Sequence, residues 1–287
     1  MILLVGLVVL LGGTALGYNI AGGHLGDLFH PSEIVTILAM MFGAMIIMSP
    51  IKVLKHIVKM CFNCLKGKPF KKSDYEDLLK VMYELFVLGR RNGMIALEEH
   101  VMNPAGSVLF KKYPSFHNNH AAVEFFCDGL RPIVDGRIKP DQLEPLMEKS
   151  LATVEHEKHA PPMVFSKVAD SLPGFGIVAA VMGVVHTMGK IGGDVTIVAE
   201  SIGVALTGTL LGVFMCYGIV SPIASNMEFY NHEEMSYLKC IKEAVVSFAN
   251  GLPPLVAAEV GRRMLDEDVR PSATELETML KTMGQGK

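Results

Sequence analysis

Two uncharged stretches, residues 171–189 and 201–220, constrain this chain more than anything else in it. They run for 19 and 20 residues. At roughly 1.5 Å per residue, such a helix spans about 30 Å, the thickness of a bilayer's hydrocarbon core. Residues 190–200 are the only link between them, so the pair predicts a transmembrane hairpin. Pro173 stands near the start of the first stretch and Pro222 just past the end of the second. A hairpin brings both prolines to the same membrane face, at matched depth. They read either as helix breaks at the interface, where breaking is cheap, or as a deformable joint.

Two more apolar spans precede the pair, at residues 1–23 and 34–50. Half of the 287 residues are hydrophobic, and the mean hydropathy of +0.37 is rare for a soluble protein. Residues 1–23 lack a basic leading segment and a small-x-small cleavage site, so they are expected to stay as a helix and not to act as a cleaved signal. Gly13 and Gly17, four apart, give that helix a small face for close contact.

Charge orients the spans. Of 26 Lys and Arg residues, 18 lie in residues 51–168 and seven in 221–287. The link 21–33 holds none and the link 190–200 only Lys190. The lysine run from Lys52 to Lys72 beside the second span points the same way. By the positive-inside rule, the long connection and both termini are cytoplasmic. The expected fold is an all-α integral membrane protein of four transmembrane helices. A helical cytoplasmic domain stands between the second and third, and a cytoplasmic extension follows the fourth. The expected divisions are 1–50, 51–168, 169–222 and 223–287.

Within 51–168, Leu78, Leu79, Met82, Leu85 and Phe86 recur at helical spacing. Gly93 interrupts the pattern, 94–102 resumes it, and Asn103-Pro104 marks a turn. Further helices are expected at 121–130 and 140–156, with Pro161-Pro162 ending the domain. Beyond Pro222 the helix continues toward Pro253-Pro254, and residues 270–287 read as a polar tail.

No ionisable group is expected at depth in the four spans: Glu33 reads as lying at an edge and His186 near an outer end. An ion path normally carries such a group. If this chain moves ions, another chain must supply it. Thr207 and Thr209 read as bonding their own helix backbone or lining a pore. The hairpin's many Gly and Ala residues read as close packing.

Other chemistries find little support. Cys61 and Cys64 form a lone C-x-x-C, short of the four ligands that zinc takes. The five cysteines are odd in number and scattered, which is no disulfide framework. His156, Glu157 and His159 lack metalloprotease spacing, and no nucleotide fingerprint is present. No enzyme activity, metal or cofactor is expected. A net charge of −3 gives no reason to expect nucleic acid. A small-molecule transporter would show inverted repeats and a midplane site, and neither is visible.

The run Asp170-Ser171-Leu172-Pro173-Gly174-Phe175-Gly176, continuing to His186, closely resembles the third transmembrane segment of the MotA family, the A subunits of the flagellar motor stator. Residues 203–222 resemble its fourth segment. Arg90-Arg91-Asn92-Gly93-Met94 with Leu97-Glu98 resembles its charged loop, and Arg270-Pro271-Ser272 with Glu275 its tail. The resemblance implies a homo-oligomer, five A subunits around two B subunits (MotB), in the bacterial inner membrane. The B subunit supplies a transmembrane aspartate and a peptidoglycan anchor. Ion flow past that aspartate turns the ring, which drives the rotor switch protein of the flagellar C ring. By position, Arg90 and Glu98 match rotor-facing charges, which would otherwise read as solvated surface. Pro173 and Pro222 match prolines that couple ion binding to conformation. Thr209 and Tyr217 match channel-lining residues. Ala180 stands where sodium-driven relatives carry a threonine, which implies the proton as coupling ion. A sodium-driven stator and an energiser of the related biopolymer-transport type are the alternatives.

Overall fold

The computed structural model describes residues 2–188 and 195–284, and every regular element among them is helical. Part of the link expected at 190–200, including Lys190, lies outside the described residues. The elements are α1 (Ile2–Ile20), α2 (Pro31–Met48), α3 (Ile51–Lys66), α4 (Lys72–Asn92), α5 (Glu98–Met102), α6 (Val108–Lys111) and α7 (Pro114–His117). Then follow α8 (His120–Val134), α9 (Pro140–Met188), α10 (Val195–Phe214), α11 (Ser221–Ala249), α12 (Pro254–Arg262) and α13 (Ala273–Gly284). A π-helical turn, Met215–Val220, joins α10 to α11. Among the described residues, four helical stretches are long and apolar enough to cross a membrane: Ile2–Ile20, Leu25–Met48, Pro140–Met188 and Ile202–Ala249.

The chain divides into two compact units, Met1–Gly67 with Glu157–Tyr230, and Lys68–His156 with Asn231–Lys287. Residues 51–67 and 157–168, grouped by the sequence reading with the second body, belong to the first. The reason is burial. Amphipathic α3 turns Ile57, Met60 and Cys64 into one core with Ile37, Met45, Val164, Phe165 and Val168. Its other face carries Lys52, Lys55 and Lys59. Helix α9 also passes through Pro161 and Pro162 unbroken. An interior proline costs a helix about 3 kcal/mol, but packing of the residues that follow overrides local propensity here.

The second unit buries a large core in which Phe86 stacks on Phe248 with centroids 4.4 Å apart, and Phe70 on Tyr237 at 4.3 Å. The C-terminal segment is part of that core. Leu276 and Leu280 of α13 are buried, so the stretch expected as a polar tail is a packed helix. It starts at a capping box. Ser272 N–H donates to Glu275 Oε2 at 2.6 Å, and Glu275 N–H to Ser272 Oγ at 3.1 Å.

Candidate functional site

The site in the first unit is built on the hairpin of α9 and α10, whose backbones touch. A Cβ added to Gly176 would lie 2.7 Å from Gly208 O and 3.0 Å from Gly212 Cα. One added to Gly212 would lie 2.6 Å from Leu172 O. Glycine is required where two helices approach this closely. Gly174 and Gly203 have open space instead, so packing within this chain does not explain them.

These contacts set the register. Gly212 lies against Leu172 and Gly176, which makes Pro173 level with it. Pro222 is ten residues further along the same helix, about 15 Å at 1.5 Å per residue. The two prolines point to one end of the hairpin, but they are staggered and not at matched depth.

Pro222 is also not an end. The helix runs through it, and the π-helical turn immediately before it absorbs the change. Proline offers no N–H to the carbonyl four residues back, here Gly218. A π turn widens the helix at that point, and such bulges cluster at functional positions. Cys216 Sγ lies 3.8 Å from Ser221 Oγ within this turn. Tyr217 projects from it, 70% exposed.

A carboxylate sits inside the bundle. Glu33 is 5% exposed, and Ser32 Oγ donates to its Oε2 at 2.7 Å. Its Cγ would be 3.3 Å from a Cβ on Gly208, and the Ala180 backbone nitrogen is equally close to that point. The sequence reading put Glu33 at an edge and no charge at depth. Glu33 does stand at the edge of α2, in its first turn, because the helix starts at Pro31 and not at Ile34; what the sequence reading missed is that it is buried there against α10. Proline at the first helical position was the available signal. Ala180 and Glu33 thus converge on Gly208. Thr209 is the next residue on and half-buried, while Thr207 Oγ1 donates to Val204 O at 2.7 Å.

Arg90 and Glu98 stand in the second unit. Helix α4 ends at Gly93, whose φ of +84° only glycine adopts readily. A 3-10 turn, Met94–Leu97, follows. Fully buried Leu97 anchors it against Gly89, where an added Cβ would lie 3.0 Å from Leu97 Cδ1 and Phe248 Cζ. With Leu97 held in the core, Glu98 is exposed on the surface, and Arg90 is exposed on the last turn of α4. Among the described residues neither forms an ion pair within the chain.

Residues 4–93 match the family Motility protein A N-terminal, and residues 117–239 the MotA/TolQ/ExbB proton channel family. Fold and matches together define a multi-pass inner-membrane protein of the proton-channel class, which is not a class of enzymes. Motility protein A of Salmonella typhimurium is 36% identical over 283 residues, covering 99% of this chain and 96% of that one. Chemotaxis protein LafT of Vibrio parahaemolyticus is 31% identical, covering 92% and 93%. The solved structure of Campylobacter jejuni MotAB shares the fold, with a TM-score of 0.76 at 20% identity, over 94% of this chain and 98% of that chain. The chain belongs to the motility protein A family and is a stator subunit of the bacterial flagellar motor.

Proposed function

We propose that this chain assembles with a B subunit into a proton-driven stator, five copies around a B dimer. The solved structures that share this fold are of MotAB, which supports the partner. In this reading the B subunit brings the aspartate that titrates, together with the peptidoglycan anchor. The second unit and both termini lie in the cytoplasm in this reading, which the charge bias supports, and Arg90 and Glu98 face the rotor switch protein there. Thr209 and Tyr217 line the path. Pro173 and Pro222 couple ion binding to movement.

The observation that carries the proton assignment is Ala180. It lies against Gly208 in the hairpin and offers no side-chain oxygen there. A sodium ion takes several oxygen ligands, whereas a proton takes a titrating group and water. Each proton brings about 2.3 kcal/mol per 100 mV of membrane potential. A sodium-driven reading draws on one observation, the buried Glu33 carboxylate beside the same glycine. Swimming speed separates the two. Motility is expected to persist in sodium-free medium and stop with a protonophore. Motility that survives the protonophore and needs sodium overturns the assignment.

A further inference from the structure

Helix α3 has three faces. Ile57, Met60 and Cys64 turn into the core of the first unit. Ile51, Val58, Phe62 and Leu65, spaced by seven, four and three residues, share a second face. All four are exposed, Ile51 by 70% and Phe62 by 61%. Lys52, Lys55, Lys59 and Lys66 share the third face, within about 60° of arc at 3.6 residues per turn, and it borders the second. Lys52 Nζ lies 2.9 Å from Glu157 Oε1. Among the described residues Lys55, Lys59 and Lys66 form no ion pair, and residues 51–73 contain no Asp or Glu.

A surface helix of a soluble protein has one apolar face, and it is buried. The second apolar face of α3 therefore calls for cover. Its position says what kind. Helix α2 ends at Met48, and α3 begins at Ile51 after a Ser49-Pro50 corner. Ile46, Ile47 and Met48 in the last turn of α2 are exposed too, so the bare face of α3 continues the bare face of a membrane span. Helix α3 also touches α1 and shares its core with Leu3, in the first turn of that helix. The start of one span and the end of the next mark a single membrane face, where the hydrocarbon gives way to headgroups. A helix at that level lies with its apolar side in the acyl chains and its lysines raised to the phosphates.

We infer that α3 lies in the membrane interface and binds anionic phospholipid of the cytoplasmic leaflet. The apolar face enters the acyl region, and Lys55, Lys59 and Lys66 meet lipid phosphates. Lipid tails of any kind cover an apolar face; the lysines, with no carboxylate beside them, select negative charge. The choice of leaflet rests on the cytoplasmic orientation proposed above, whereas the lipid contact rests on α3 itself.

The test uses the complete A/B complex in vesicles. This chain has no tryptophan, so Phe62→Trp adds one reporter at a side chain already exposed. Its emission is the difference between the variant and the wild-type complex, which removes any tryptophan of the B subunit. Phosphatidylglycerol with brominated acyl chains is expected to quench it, and brominated phosphatidylcholine to do so less. The preference should be about fivefold or more, the scale of one lysine near an anionic surface, and should shrink at high salt. Changing Lys55, Lys59 and Lys66 together to Gln should abolish the preference, and changing them together to Arg should keep it. Emission that neither lipid quenches overturns the inference, because a second copy or another protein then covers the face. Equal quenching by the two lipids overturns it as well, since the lysines then select nothing. Failure of the orientation looks different: His56→Cys would react with an impermeant maleimide added outside intact cells, while the lipid preference stayed.

Discussion

Glu33 and the three contact glycines carry most of the membrane site at the scale of single residues. A carboxylate 5% exposed in an apolar bundle is expensive to keep, and such groups generally mark an ion pathway. Glu33→Gln keeps the shape and removes the charge. It is expected to slow ion conduction through the complex with assembly unchanged, measured as proton uptake in vesicles. Conduction at the wild-type rate would leave Glu33 with a packing role. The glycines make a sharper contrast. Gly212→Ala sets a methyl group 2.6 Å from a backbone oxygen that has no way to rotate aside. Overpacking of this kind costs about 1–3 kcal/mol, so the complex should melt earlier in detergent and swimming should fall. Gly174→Ala, with open space around it, should match wild type. Equal behaviour of the two variants would mean that the α9–α10 contact does not exist as described.

At the scale of elements, what the sequence revealed and what it hid have physical reasons. Apolar run length is a strong signal, and the stretches read at residues 1–23, 34–50, 171–189 and 201–220 each overlap one of the four apolar helical stretches among the described residues, the last two of which run on to 49 and 48 residues. The Gly93 interruption was visible because glycine has a specific use there, a positive φ. Prolines misled, because local propensity says nothing of the packing that carries α9 through Pro161 and Pro162. The staggered register depends on which glycines meet across the hairpin, a pairing that no single helix encodes. The second unit's terminal helices were hidden behind their polarity. Arg262 donates through Nε to Glu259 Oε2 at 2.6 Å and through Nη1 to Pro271 O at 2.8 Å, and Lys68 Nζ reaches Asp268 at 2.8 Å. Hydrogen bonds from Arg262 hold the Glu259 carboxyl below its ordinary 4.5, and those from Lys68 hold Asp268 below its 3.8. A depressed carboxylate contributes stability that is fully present above its ordinary value and is lost as pH falls through its folded one. Amide protection in α12 and α13 should therefore hold at neutral pH and fall once the pH drops below 4.5. Protection that is flat through that range would show that these clamps contribute nothing.

For the whole molecule, the informative surface is the part of the membrane unit that one chain leaves bare. On α10 and the π turn, Ile202, Leu206, Leu210, Val213 and Tyr217 are all exposed and recur at helical spacing, forming one stripe. Lipid tails cover such a stripe as well as a partner does, because no hydrophobic force distinguishes them. Tyr217 is the exception in chemistry, since its phenol seeks a hydrogen-bond partner that lipid tails do not offer. If Tyr217 lines an ion path shared with a B subunit, assembly must cover it. A cysteine at this position then reports the difference. In the A/B complex, Tyr217→Cys should react slowly with a bulky maleimide and quickly with a small, water-soluble thiosulfonate that enters an aqueous path. In membranes holding this chain without its partner, the bulky reagent should gain access. Phe42→Cys, from an exposed residue of α2, provides an apolar comparison outside the α10 stripe and should show no dependence on the B subunit. Identical labelling of positions 217 and 42 in both membranes would place Tyr217 in lipid and take it out of the path.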